Sequence, residues 1–281
     1  MRVAAGLIGF LAMLLPLAAM AQPLPWPEGA RGPASPAPGP LRVIGSENAG
    51  GCIAGAQRLP DQGTGFETIH RDRSRFWGAP ETIAGIERLG ETVHAAGLGR
   101  IVIDDISDAR GGPMPGGHVS HQIGLDADIG LSPFTAPLGP QAQATVVLPS
   151  MVTPDGAAVS AAFGPTQIRL LHWATELPGL DRILVNPAIK RALCARLPAK
   201  ARGWLHRLRP WWGHEAHMHV HFRCPAGQAM CVDQPPIPPG DGCDATLAWW
   251  ASHPHPPPPR PGAHPHGAVL PAACRAVMDA P

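Results

Sequence analysis

Two stretches of this chain alternate polar and apolar residues with a period of two. From His217 to Phe222, the histidines His217, His219 and His221 alternate with Met218, Val220 and Phe222. On a strand, that spacing puts three imidazoles on one face and three apolar groups on the other. Leu125, Ala127 and Ile129 likewise alternate with Asp126 and Asp128, so a second strand would turn two carboxylates to one side and its apolar residues to a core. A helical period takes over in APETIAGIERLGETVHAAGLG, where Ile83, Ile86, Leu89 and Val93 share a face, with Pro80 near the start and Gly97 near the end. RIVIDDIS (100–107) reads as the strand that follows. Gln167 to Leu177 reads as a second helix, RILVN (182–186) as a short strand and PAIKRALCARL (187–197) as a helix begun by Pro187. Helices bracketing separate strands argue for an α+β layer, whose strand order the pattern does not fix.

Both ends depart from this periodicity. MRVAAGLIGFLAMLLPLAAMAQP has one early charge, Arg2, then an apolar run broken by Pro16, then Ala19-Met20-Ala21 in the small-x-small pattern of a cleavage site. Residues 1–21 are therefore read as a signal peptide and not as a membrane anchor, since the run is short for a bilayer and lacks a basic stop-transfer flank. Proline-rich segments follow at 22–40 and at 253–271, and they hold much of the excess in 36 prolines and 33 glycines. The expected organisation is a signal peptide (1–21), a proline-rich arm (22–50), one domain (51–250) and a His/Pro-rich strap (251–281). The tail histidines His253, His255, His264 and His266 are held apart by prolines, which leaves no fixed geometry for an ion. A formal net charge of +1, falling to zero once Arg2 is removed, offers no electrostatic footprint for nucleic acid. Six cysteines, Cys52, Cys194, Cys224, Cys231, Cys243 and Cys274, make an even count suited to disulfides in an exported protein. Their connectivity is not readable from spacing, although Cys224 and Cys231 are close enough to close one small loop.

The chemistry lies in the alternating stretches. Two carboxylates on one face repel, and a cation or an imidazole relieves them. Three histidines in register, with His214 just upstream, supply such partners. A zinc hydrolase needs three nitrogen or oxygen ligands and one position left for water. The chain has no H-E-x-x-H helix and no G-x-S-x-G turn, and its cysteines read as structural.

GGHVSHQIGLDADI (116–129) and RPWWGHEAHMHVHFRCP (209–225) resemble the penicillin-insensitive murein endopeptidases, part of the wider zinc peptidase group of lysostaphin, D-Ala-D-Ala carboxypeptidases and hedgehog proteins. RDRSRFWGAPETIAGIERL, GGPM, RILVNPAIK, WLHRLRPWW and GDGC extend the likeness over roughly 51–274. The resemblance implies a central, mainly antiparallel sheet carrying a zinc site, flanked by helices and long disulfide-braced loops. It implies one catalytic zinc on His121, Asp128 and His219, with His217 as catalytic base or transition-state donor and His214 as its partner. His118 and Asp126 would stand in the same wall, as further ligands or as supports of the imidazoles. Asp155 corresponds to an accessory metal position, but Ala158 stands where relatives supply a histidine, so a second ion lacks one donor. His221 stands where relatives carry arginine and becomes an extra ligand or a charge replacement. The implied bridges are Cys52 to Cys274, Cys194 to Cys243 and Cys224 to Cys231.

The implied reaction is hydrolysis, in the periplasm, of the D-alanyl to meso-diaminopimelyl cross-link of peptidoglycan. The partners are cross-linked peptides, without nucleic acid and without stable membrane insertion once the signal is removed. The chain has no tyrosine, so oxyanion stabilisation falls to zinc with a protonated His214 or His217, with a backbone N–H as a further candidate donor. Trp211 and Trp212 read as core before they read as a substrate wall. Arg71, Arg73 and Arg75 read either as a solvated charge run or as partners for substrate carboxylates. Two rival functions are a catalytically inactive, zinc-caged peptidoglycan-binding protein and a periplasmic metal-binding protein that uses the His/Pro tail.

Overall fold

The two segments of period-two alternation lie side by side in the computed structural model, which describes residues 34–46, 50–114, 118, 120–256 and 270–281. The signal peptide, the first part of the proline-rich arm and tail residues 257–269, with His264 and His266, fall outside the described residues. In chain order the elements are β1 (Arg42–Ser46), β2 (Gly50–Ala54), β3 (Gln57–Arg58), β4 (Gln62–Gly63), β5 (Phe66–Thr68), β6 (Trp77–Gly78), α1 (Pro80–Ala95), β7 (Ile101–Ile103), β8 (Asp126–Gly130), α2 (Pro140–Thr145), α3 (Pro165–Thr175), β9 (Leu180–Val185), α4 (Pro187–Arg196), β10 (Leu208–Pro210), β11 (His217–Phe222), α5 (Thr246–Ser252) and α6 (Arg275–Met278).

Seven of these strands form one sheet in the order β10-β9-β11-β8-β7-β5-β4. The β10–β9 and β7–β5 pairs are parallel and the other pairs antiparallel, so this is an α+β fold on a mainly antiparallel sheet. The register of β11 on β8 sets His219 opposite Asp128 and His221 opposite Asp126. Because side chains alternate, that pairing puts both carboxylates and their facing imidazoles on one surface of the sheet. Met218, Val220, Phe222, Ala127 and Ile129 point the other way, into the main core.

Helix α1 closes that core with Ile83, Ile86, Leu89 and Val93. Its axis comes so near β11 that a Cβ at Gly85 would lie 2.5 Å from the Phe222 ring, so glycine is required by the close approach. Pro80 begins α1 at a position where its missing N–H costs nothing. Helix α4 begins the same way at Pro187, and the Asn186 side chain accepts the Ala188 N–H as an N-cap.

Three disulfides brace the periphery: Cys52–Cys274, Cys194–Cys243 and Cys224–Cys231. The first closes a span of 222 residues, a cross-link worth on the order of 5 kcal/mol against the unfolded chain. It joins β2 to the segment that carries α6. Around it Ala37, Ile44, Cys52, Ala54, Leu270, Cys274 and Val277 form a second small core. Arg110, buried beside this core, donates to the backbone carbonyls of Ser35, Val277, Met278, Ala280 and Pro281. The described end of the strap is thus tied to the loop that leads into β8. Part of the segment expected as an N-terminal arm also belongs here, since β1 pairs antiparallel with β2.

Candidate metal centre

Asp128 is the hub. Its strand is central, and its backbone is clamped to the end of β7: Asp128 N donates to Asp105 O at 2.8 Å and Asp104 N donates to Asp128 O at 3.0 Å. Asp128 Oδ1 lies 3.0 Å from His219 Nδ1, 3.4 Å from His121 Nε2 and 3.6 Å from His217 Nε2. His121 reaches it from the loop before β8, where its backbone adopts a left-handed φ of 67°, a conformation costly for a non-glycine residue and found mostly where surrounding structure enforces it. His121 Nδ1 donates to Ile106 O at 2.7 Å, which turns Nε2 toward the carboxylate. His118, His121 and Asp128 offer donor atoms that all lie within 4.8 Å of one another.

His219 and Asp126 continue the network. His219 Nδ1 faces Asp128, and its Nε2 lies 3.0 Å from Asp126 Oδ1. Asp126 Oδ1 also accepts from His221 Nδ1 at 2.8 Å. Burial alone would lower the His219 pKa, but its hydrogen bonds to Asp126 and Asp128 raise it well above the imidazole range. The same balance raises His121, with the Asp128 charge overcoming burial. Burial would raise both aspartates. The charge of His121, followed by that of His217, instead holds Asp128 well below the carboxylate range, while His221 and His219 hold Asp126 low. In the ion-free protein, protons on imidazoles neutralise the buried carboxylates.

His217 and His214 stand at the more open side. His217 is 32% exposed, and its ring centroid lies 5.1 Å from that of His214. His214 takes a left-handed φ of 53°, and its Nδ1 lies 2.8 Å from Trp212 O. A carbonyl only accepts, so Nδ1 carries the proton and Nε2 of neutral His214 is a lone pair. Burial, then the charges of His219 and His217, push the His214 pKa down to about 3. Burial and its cationic neighbours thus disfavour a second proton on His214 in the ion-free protein.

Asp155, expected at an accessory metal position apart from these ligands, lies on the surface, where its carboxylate accepts from Thr153 Oγ1 and Ala157 N within its own turn. His221 is buried against Asp126, which makes it a partner of that carboxylate. The arginines of RDRSR are neither free for substrate nor simply solvated. Arg71 donates to Thr68 and Asp61 O, Arg73 to Asp104 and Asp105, and Arg75 to Asp105. Trp211 is not core: it is 48% exposed. Asp105 is a site residue that the alternation did not reveal. It is buried, and its Oδ2 lies 3.2 Å from His118 Nε2. Burial would raise the Asp105 pKa, but the His118 hydrogen bond and neighbouring positive charges lower it. The only signal was an acidic pair, Asp104-Asp105, directly after an apolar strand.

The residues fit a divalent ion. Their donors are imidazole nitrogens and carboxylate oxygens, the set that suits zinc. Asp126 Oδ2 and Asp105 Oδ1 are buried without a hydrogen-bond partner among the described residues, an orphaned pair of acceptors of the kind a cation satisfies. Fold and site together define the class: a disulfide-braced α+β protein whose central sheet presents an imidazole–carboxylate centre able to hold a metal.

Comparison with known proteins gives the family. A family model described as penicillin-insensitive murein endopeptidase matches residues 43–279. The chain is 40% identical over 278 residues to the penicillin-insensitive murein endopeptidase of Klebsiella pneumoniae strain 342, covering 97% of each chain. It is 39% identical over 274 residues to that of Escherichia coli strain 55989, again covering 97% of each. It is 40% identical over 257 residues to that of Salmonella arizonae, covering 87% of this chain and 88% of the relative. The chain belongs to the penicillin-insensitive murein endopeptidase family.

Proposed function

We propose that this protein is an exported, zinc-dependent murein endopeptidase that hydrolyses D-alanyl to meso-diaminopimelyl cross-links in peptidoglycan. The observation that carries the reading is the convergence on Asp128 Oδ1 of three imidazoles, those of His219, His121 and His217, within 3.0–3.6 Å. The names of the relatives supply the substrate class. Three disulfides agree with an oxidising compartment and so with export. No helix among the described residues is long and apolar enough to cross a membrane.

His121, Asp128 and His219 would hold the zinc, with His118 as a further donor in reach. Zinc bound there would polarise the scissile carbonyl and acidify a water at neutral pH. His217 is the group placed to move protons: it is partly exposed, lies 3.6 Å from Asp128 and stands clear of the buried wall. It accepts a proton from the attacking water and delivers it to the leaving amine. Neutral His214, its ring centroid 5.1 Å from that of His217 and its Nε2 unprotonated, would act as the partner of His217. With no tyrosine in the chain, protonated His217 is the side-chain donor for the oxyanion. Muropeptide mass spectrometry after incubating purified, zinc-loaded protein with isolated sacculi tests the proposal. Cross-linked dimers should convert to monomers with a new free amine on diaminopimelate. A digest without new amine ends would favour an inactive binding protein.

A further inference from the structure

We infer that the tryptophan cluster beside the metal centre, Trp211, Trp212, Trp249 and Trp250, is a binding platform for the glycan strand of the substrate. The inference rests on the proposed murein reading and adds a second site to it. The cluster joins two sequence-distant pairs. Trp212 packs on Trp250 with ring centroids 4.7 Å apart and on Trp249 at 5.9 Å, and Trp211 lies 5.5 Å from Trp212 and 6.0 Å from Trp250. His253 stacks on Trp249 at 4.3 Å with planes 15° apart, and Trp212 Nε1 donates to His253 O at 2.8 Å.

Structural packing does not account for what is left uncovered. Trp211 and Trp249 are each 48% exposed, and they are two of the five large apolar side chains that stand exposed among the described residues. Indoles held rigid yet left open are typical of anchors for a partner. The platform is also fixed. Helix α5, which carries Trp249 and Trp250, packs on α4, and Cys194–Cys243 ties α4 to the segment just before α5.

The platform is continuous with the reacting groups. Trp212 O accepts the His214 Nδ1 proton, Asn186 Nδ2 donates to Gly213 O at 2.9 Å, and Asn186 N donates to His214 O at 3.1 Å. The tryptophans are thus tied through the backbone to the segment that carries His214, whose ring lies 5.1 Å from that of His217, so a polymer held on them stays close to those histidines. The adjoining cleft identifies the occupant. Its walls include Asp155, Asn186, Arg191, Trp250 and Pro254, which combine an indole with hydrogen-bonding groups and one charge of each sign. Such a surface suits a neutral ring with an apolar face and a polar rim, as in an N-acetylated amino sugar. Its two charges are already engaged, Asp155 accepting from Thr153 Oγ1 and Ala157 N and Arg191 donating to Ala157 O, so neither is left uncommitted for the carboxylates and ammonium groups of a stem peptide. The peptides that this family's substrate carries are attached to such sugars.

The test uses the full mature chain, with tri-N-acetylchitotriose as probe in calorimetry. Wild type should bind it, and Trp249→Ala and Trp211→Ala should each weaken binding about tenfold, the loss expected on truncating one aromatic anchor. Trp249→Phe, which keeps an aromatic face, should stay closer to wild type. On intact sacculi both alanine variants should release fewer products, while sugar-free cross-linked peptide dimers are cleaved at the wild-type rate. Failure of wild type to bind the trisaccharide overturns the inference, as does an equal loss on sugar-free dimers. Wild type that binds the trisaccharide but cleaves neither substrate refutes the proposed hydrolysis and leaves the sugar platform standing.

Discussion

Replacing Asp126 with asparagine removes one negative charge from the centre and keeps its shape. Asp126 is fully buried and holds His219 at 3.0 Å and His221 at 2.8 Å. Removing one partner of a buried ion pair costs about 3–5 kcal/mol. Part of that is recovered because His219, released from one carboxylate, sheds its proton more easily, so a net loss of about 2–3 kcal/mol is expected. At roughly 2–4 °C per kcal/mol for a chain of this size, the melting temperature should fall by about 4–12 °C. The assay is thermal unfolding in chelator across a range of pH. Asp126 is held below the carboxylate range, so its stabilisation is present above the unfolded pKa of about 3.9 and is lost as pH falls. His219 is held above the imidazole range, so its stabilisation is fully present below about pH 6.5 and is lost as pH rises through its folded value. The deficit of Asp126→Asn should therefore be greatest between about pH 4 and 6.5. Zinc affinity should drop by about 10–100-fold, the usual effect of removing a carboxylate that supports a ligand. Equal melting temperatures in that pH window would refute the electrostatic account of the centre.

Four further outcomes follow from the same geometry. Zinc titration near pH 7 should release protons, because His219 and His121 have raised pKa values and must be neutral to ligate; equal apparent enthalpies in buffers of different ionisation heat would contradict this. His217→Ala should keep zinc and lose about 10²–10⁴-fold in turnover, and normal turnover in that variant would remove His217 from the reaction. His118→Ala should cost less zinc affinity than His219→Ala if His219 is the third ligand; the reverse order, measured by competition with a chromogenic chelator, would give that place to His118. Replacing Cys224 and Cys231 together by serine should lower stability by about 2–3 kcal/mol and weaken zinc binding, because the bridge begins just beyond β11; unchanged affinity would count against a bracing role.

How much of this was readable in advance depends on the range of the interactions involved. Period-two alternation correctly separated the faces of His217–Phe222 and 125–129, because the pleat alone dictates it. The helical pattern of 79–99 gave α1 with its proline start, since both signals are local. The pairing of His219 with Asp128 is a contact across 91 residues, and no local pattern encodes which strands become neighbours. The short strands β1 to β6 were missed for a related reason: several are two or three residues long and sit among glycines and prolines, too short to show a period.

The misreadings at the site share one cause, which is that a side chain's role was decided by a backbone or a neighbour from elsewhere. Paired tryptophans look like core when only Trp211 and Trp212 are in view. They become a surface platform because the segment braced by Cys194–Cys243 brings Trp249 and Trp250 beside them. His214 stands in a run of histidines, and only the fold shows that the Trp212 carbonyl holds its Nδ1 hydrogen while burial lowers its affinity for a second proton. Arg73 and Arg75 look available to substrate until Asp105, at the end of β7, engages both. The same Asp105 bonds His118 through its carboxylate and Asp128 through its backbone, so the segment 104–106, which also supplies the Ile106 carbonyl to His121, fixes the angle of three potential ligands at once. A metal centre needs that shared support, because imidazoles aimed independently from a loop and two strands would each lose conformational freedom on binding the ion. Spacing put the histidines on one face and the family resemblance implied their roles, but the residues that aim them became visible only once the chain was folded.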